Sequence, residues 1–391
     1  MFDIASGPDL LRLLAVPAFG YVAWLDIRTR RVPNRTWLPL LGLGVVLLLW
    51  DLVRVTTGDT EPFARQNFYV RTLLSLGFVV PLAYVFWRLG GFGGADAKAF
   101  FVVAVLLPVY PTYELWRSTA VGDALGPLLD RLPGATYAGT VPLVETPVGV
   151  FSLTVLSNTV LLGALYPVGL AARNAAAGYR SPSMFVAKPV CWDAVTGEYG
   201  TLLQMPDRPL RERRSLSGLG AHLSVRGLDL DALRMYLRWR GCSLAALREQ
   251  PDRYRDPETV ASARSAPGDG AIPAGGWDVD DSPDSAGGSD DDSPDSAGET
   301  ADTEPTAAPD DAGEEPADPW AAAAFLTDIE GSAYGTTPAA LREGLETLTD
   351  EDVVWISPGI PFLVPLFLGL VAAFVYGDLL FALLRAVGVG G

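Results

Sequence analysis

The sequence predicts an all-α, polytopic membrane protein with six transmembrane helices, plus a cytoplasmic segment that contains a disordered acidic insertion. Three observations predict it. Apolar residues make up 49% of the 391-residue chain and charged ones only 19%. The apolar residues gather in long blocks, most of them near the ~20 residues a helix needs to cross ~30 Å of hydrocarbon. The acid is gathered too: residues 267–318 hold 17 Asp and Glu and no Lys or Arg, equal to the whole net charge of −17.

The expected spans are residues 9–25, 37–52, 68–87, 97–116, 146–172 and 359–384. Pro17, Pro81 and Pro167 lie inside spans, which membrane helices tolerate when neighbours satisfy the freed carbonyls. Pro108 and Pro111 shorten the fourth. The N-terminus lacks a basic start, a short apolar run and a cleavage site, so the first block reads as a retained span.

Positive charge sets the orientation. Arg28, Arg30, Arg31 and Arg35 follow the first span, Arg88 and Lys98 flank the turn after the third, and Arg173, Arg180 and Lys188 follow the fifth. These loops belong in the cytoplasm, which leaves both termini outside.

The expected organisation is a five-span membrane domain (1–172), a cytoplasmic segment (173–258), an acidic low-complexity linker (259–320), a cytoplasmic helical segment (321–358) and the sixth helix with the C-terminus (359–391). Residues 229–249 read as a basic amphipathic helix that packs on the bundle or lies on the inner leaflet. The acidic tract repeats DDSPDSAG at 280–287 and 291–298, which marks duplicated low complexity and a solvated linker. Abundant Asp, Glu and Ala with few Lys suit a salt-rich cytoplasm. Nothing comparable in positive charge is present to meet phosphates, so nucleic acid is not an expected partner.

Carboxylates at or inside spans are costly and mark function by default. Asp26 ends the first span and Asp96 begins the fourth, both at the cytoplasmic face. Asp96 sits in GGFGGADAK, where Gly93, Gly94 and their neighbours leave room for a second chain to approach. Asp26 is followed by an Arg cluster and the Pro33–Asn34 turn. Two carboxylates sharing one proton are the working parts of an aspartic protease: one draws a proton from water, the other donates to the carbonyl oxygen.

Other residues carry less. Asp51 and Asp378 fall toward outer span ends and receive no chemistry. His222, the single histidine, has no serine nucleophile motif beside it. Cys191 reads as a small apolar residue, and Cys191 with Cys242 forms neither a disulfide in the cytoplasm nor a four-ligand zinc site. Neither a metal nor a cofactor is expected. Lys98 is placed to reach the lipid headgroups or to tune the charge of the pair.

The motifs resemble those of the archaeal prepilin and preflagellin peptidases. DIRTRRVPN at 26–34 resembles the first-aspartate region of that family. Gly93-Gly94-Ala95-Asp96, continuing to Lys98, resembles its second motif, and Pro361-Phe362-Leu363-Val364-Pro365 its C-terminal signature. The resemblance implies that Asp26 and Asp96 are catalytic, with Gly93, Gly94, Lys98, Pro33 and Asn34 as motif support. It implies prepilin and prearchaellin substrates, met at the lipid bilayer, whose short basic leaders are removed. Bacterial relatives add a four-cysteine domain linked to N-methylation; this chain lacks its C-x-x-C pairs, so methyl transfer is not expected.

Two other readings remain. A presenilin-like protease also uses a glycine-aspartate motif but cuts within the bilayer, and the last span lacks a Pro-Ala-Leu motif. A small transporter with acidic gating residues would show paired repeats, which are not visible.

Overall fold

A computed structural model describes residues 4–89, 91–114, 139–203, 227–260, 265–272, 318–329, 333–359 and 361–388. It is mostly helical and divides into two units, Met1–Ala172 with Ile360–Gly391, and Arg173–Gly359.

The first unit begins with α1 (Gly7–Arg12) and α2 (Ala15–Thr29). Ser6 caps α1 by accepting the Asp9 N–H at 3.3 Å, and a one-turn irregularity at Leu13 and Leu14 joins the two into one apolar run, Gly7–Thr29. Helix α3 (Trp37–Thr57) buries Trp37, Leu40, Gly44, Leu47 and Asp51, a stripe at three- and four-residue spacing. Its other faces expose Leu38, Val45, Val46, Leu49 and Val53, as expected of a helix bathed in lipid.

A third apolar run, Pro62–Arg88, consists of α4 (Pro62–Leu74), a π-helical turn (Ser75–Val79) and α5 (Val80–Arg88). Pro81 has no N–H for the Gly77 carbonyl, and the wider turn just before it absorbs the mismatch. That turn carries Ser75 inward, where its hydroxyl donates to the Ala104 carbonyl at 2.8 Å. The fourth long apolar helix is α7 (Phe151–Ala176), with Pro167 inside it. Among the described residues four helices are thus long and apolar enough to cross a membrane.

The fourth and sixth expected spans have a different form. Helix α6 (Gly94–Leu106) has 13 residues, about 20 Å. It stops because Leu107 precedes Pro108, which disfavours helical backbone in the residue before it; Leu107 has φ −129° and ψ 51°. Beyond it, β1 (Tyr113–Glu114) pairs antiparallel with β2 (Thr140–Val141), and residues 115–116 of the expected span lie outside the described residues. Ala97, Ala99, Phe100, Val102, Val103, Ala104 and Leu106 are all buried. This 13-residue helix therefore forms the centre of the unit.

At the C-terminus, α13 (Leu363–Val375) is followed by a break and α14 (Leu379–Ala386). Gly377 (φ +100°) makes the break, and a Cβ there would lie 2.0 Å from the Val144 carbonyl oxygen. Polar side chains of α7 satisfy the interrupted backbone. Asn158 donates to the Gly377 carbonyl at 2.8 Å and accepts from the Leu379 N–H at 2.9 Å. Asp378 caps α14 through the Phe381 N–H at 2.7 Å and accepts from Thr154 and Ser157. Asp378 is therefore a buried structural acid.

Helices α7 and α13 pack closely at Gly369, where a Cβ would lie 2.8 Å from the Thr159 nitrogen and 3.1 Å from its Cα. Because the obstacle is backbone, Gly369→Val is expected to destabilise the unit by about 1–3 kcal/mol. Gly163→Ala, whose new Cβ meets Pro365 at 3.9 Å, is expected to be neutral; thermal unfolding in detergent compares the two.

The second unit corrects the all-helical expectation. It holds a three-stranded antiparallel sheet in the order β3 (Lys188–Cys191), β5 (Val353–Pro358), β4 (Gly200–Leu202), with Val190 opposite Val354 and Leu202 opposite Ile356. The strands are short and their partners lie over 150 residues apart, so no local alternation announces them.

The 229–249 segment is also corrected. It forms α8 (Leu230–Arg240) and α9 (Leu244–Glu249), separated by Gly241 in the left-handed region (φ +64°). α8 is the core of this unit: Leu230, Leu233, Met235, Tyr236, Leu237 and Trp239 are buried among Leu202, Phe325, Leu345 and Ile356. Even Arg234 is buried, its guanidinium donating to the carbonyls of Gly270, Thr196 and Glu198 and pairing with Asp231. A short helix, α10 (Pro251–Arg255), follows.

The chain returns to the core as α11 (Ala322–Asp328) and α12 (Pro338–Asp350), the latter burying Leu341, Gly344, Leu345 and Leu348. Residues 273–317, most of the acidic tract, lie outside the described residues. Its flanks are docked on the same helix, Gly270 on Arg234 and the Trp320 carbonyl on the Tyr236 hydroxyl at 2.8 Å. Residues on both sides of the tract therefore build one core. Cys191 is exposed and Cys242 buried, both as free thiols, and burial pushes the Cys242 thiol up to about 12. His222 lies outside the described residues.

Candidate active site

Asp26 lies in the last turn of α2. That helix ends because Arg30 takes a left-handed conformation (φ 54°) and returns its N–H to the Asp26 carbonyl at 3.1 Å. Asp96 lies in the first turn of α6, where its Oδ2 accepts the N–H of Gly93, the N-cap residue, at 3.0 Å. A Cβ on Gly93 would sit 3.0 Å from that same oxygen, so glycine is what lets the carboxylate fold back over the helix end.

The two acids are half-buried, and Asp96 lies within the electrostatic reach of Asp26. The two acids are 70 positions apart in the chain.

The supporting residues sort as follows. Lys98 does not pair with Asp96; its Nζ donates to the Asn34 side-chain oxygen at 2.5 Å. This bond joins the turn after the first aspartate to the helix of the second. Pro33 precedes the short turn Asn34–Thr36 and is exposed. Gly94 is exposed, and a Cβ there would meet only Trp87 Nε1 at 3.8 Å.

Sequence reasoning gave the last helix no contact with the acids. In the structure the Leu363 N–H donates to Asp26 Oδ2 at 3.3 Å. Phe362 packs against Phe92, with ring centroids 5.1 Å apart, and both rings contact Phe100 of α6. The signal for Phe92 was present: it is the single bulky residue in Gly90-Gly91-Phe92-Gly93-Gly94.

Asp51, which is also buried, belongs to a separate cluster. The Arg12 guanidinium pairs with Asp51 at 2.5 Å and Asp9 at 2.7 Å and donates to the Leu106 carbonyl at 3.0 Å. This cluster joins the start of the first apolar run, the last third of α3 and the end of α6. Among the described residues no group of His, Cys, Asp and Glu is arranged to hold a metal ion.

A helical membrane protein with one carboxylate where an apolar helix ends and a second where another begins is the class defined by this fold and site. Residues 13–168, which contain both aspartates, match the type IV leader peptidase family, and residues 325–379 match the archaeal peptidase A24 C-terminus, type II. Over these two stretches the chain is similar to archaeal prepilin peptidases. It is similar to prepilin peptidase EppA of Methanothermobacter thermautotrophicus, with 29% identity over 99 residues. The shared stretch covers 25% of this chain and 24% of that relative.

Proposed function

We propose that the protein is an aspartic endopeptidase that removes the short basic leader from prepilins or prearchaellins at the cytoplasmic boundary of the membrane. The observation that supports this reading is that Asp26 and Asp96 are each half-buried at a helix end and held by a backbone N–H through one oxygen. Oδ1 of each takes no hydrogen bond among the described residues, which leaves it for water and substrate.

One carboxylate, ionised, takes a proton from water as the water oxygen bonds to the scissile carbonyl carbon. The other, protonated, gives its proton to the carbonyl oxygen. The tetrahedral diol collapses with cleavage of the C–N bond: the amine leaves with the proton the base had taken, and one diol hydroxyl returns its proton to the second carboxylate, which restores the pair. Exposed Gly91, Gly93 and Gly94 keep the approach to Asp96 clear of side chains.

In this reading Arg28, Arg30, Arg31 and Arg35 fix the site on the cytoplasmic face. The chain crosses six times, with α6 and α13 completing their passages through the broken segments that follow them. The product is not methylated by this chain.

The test is to co-express the full chain with a prepilin-type precursor and sequence the new N-terminus of the product. A single cut just before the apolar helix is the expected result. A cut inside that helix would overturn boundary cleavage in favour of intramembrane proteolysis.

A further inference from the structure

The backbone donor of each aspartate directly follows a phenylalanine: Phe92 precedes Gly93, whose N–H serves Asp96, and Phe362 precedes Leu363, whose N–H serves Asp26. The two rings pack on one another at 5.1 Å, tilted by 40°. Phe100, one helical turn beyond Asp96 on α6, closes the group at 5.5 Å from Phe92 and 6.0 Å from Phe362. The loop carrying Phe92 is itself anchored. Phe86 stacks on Phe92 at 5.1 Å, and its carbonyl accepts the N–H groups of Gly91 and Phe92.

From this geometry we infer that Phe92 and Phe362 are positioning residues that hold the two carboxylates at working separation. The inference rests on the dyad reading above. Gly93 and Gly94, three and two residues before Asp96, carry no side chains, so the loop has little of its own to resist bending. The Phe92–Phe362 contact is the apolar link between the loop that serves Asp96 and the turn that serves Asp26. Through it the last helix, over 330 residues from Asp26, takes part in the site. The cation that acts on Asp26 is Arg30 at the end of α2, and Lys98 on α6 donates to Asn34; the first turn of α13 and Phe92 bring only backbone and apolar groups.

The experiment uses the full-length protein in liposomes with a peptide carrying a basic leader and the start of an apolar helix. Wild type, Asp96→Asn, Phe92→Ala, Phe92→Tyr and Phe362→Leu are compared across pH. Phe92→Ala is expected to lower kcat by about tenfold while KM stays within roughly twofold. With the carboxylates less constrained, their mutual repulsion weakens, and the alkaline edge of activity is expected to retreat by about half a pH unit. Phe92→Tyr keeps the ring and is expected to restore both. Phe362→Leu, at the other half of the contact, gives the same signs should Phe92→Ala fail to fold.

Unchanged kcat and an unchanged pH edge in folded variants overturn the positioning role while leaving the dyad standing. Full activity in Asp96→Asn overturns the dyad and the inference with it.

Discussion

Asp96→Asn and Asp26→Asn, made separately, are each expected to reduce leader removal by about a thousandfold or more. Asparagine keeps the size of the side chain and an oxygen that accepts. The bonds from Gly93 N–H to residue 96 and from Leu363 N–H to residue 26 therefore survive. What disappears is the ability to take or give a proton. The cap of α6 and the contact with α13 persist, so both variants are expected in the membrane at wild-type amounts. The double variant is expected to be no worse than either single one, because the two acids act as a unit. A gel-shift assay on a co-expressed precursor, in salt matched to the native cytoplasm, reads this directly. Normal cleavage by either variant sinks the dyad and moves the search to another acid or to the transporter reading.

Arg12→Met is expected to be the most damaging single change to stability, costing about 3–5 kcal/mol. The guanidinium is 1% exposed and meets Asp9, Asp51 and the Leu106 carbonyl at once. Removing it leaves Asp51 as a carboxylate without its close partner, and Arg54, 3.8 Å away and half exposed, is a poor substitute. Adding Asp51→Asn to Arg12→Met is expected to recover a large part of the loss, since the uncompensated charge and not the missing contact dominates the cost. Thermal unfolding of the four forms, followed by helical circular dichroism in one detergent, gives the coupling. Additive losses would place the cost in packing instead. Because this cluster involves neither aspartate of the candidate site, residual activity per folded molecule is expected to stay near wild type.

The membrane part was legible because hydrocarbon imposes a one-dimensional rule: a crossing helix must be long and apolar, and a buried acid must have a reason. That rule found four of the helices at nearly their observed positions. It also drew attention to Asp26 and Asp96, since an acid at a helix end beside glycine or arginine stands out in an apolar sequence. It carried the fourth span to residue 116, and Pro108, which the sequence already marks as shortening that span, ends α6 at Leu106.

Three features depended on contacts between distant residues. The sheet of the second unit joins strands near residues 190, 202 and 355, each too short for its own sequence to declare. The helix over 230–240 carries arginines that suggest a surface, yet Arg234 is buried because carbonyls from two separate segments, 196–198 and Gly270, converge on it. The link from Phe362 and Leu363 to Asp26 exists only once the last helix packs beside the first. By itself, then, the sequence determined the apolar helices, the membrane setting and the two acids, because solvent and composition act locally. The tertiary structure alone decided what holds Asp26 and what surrounds Arg12 and Arg234. Hydrogen bonds and close packing depend on which distant segments meet, and no local pattern records that.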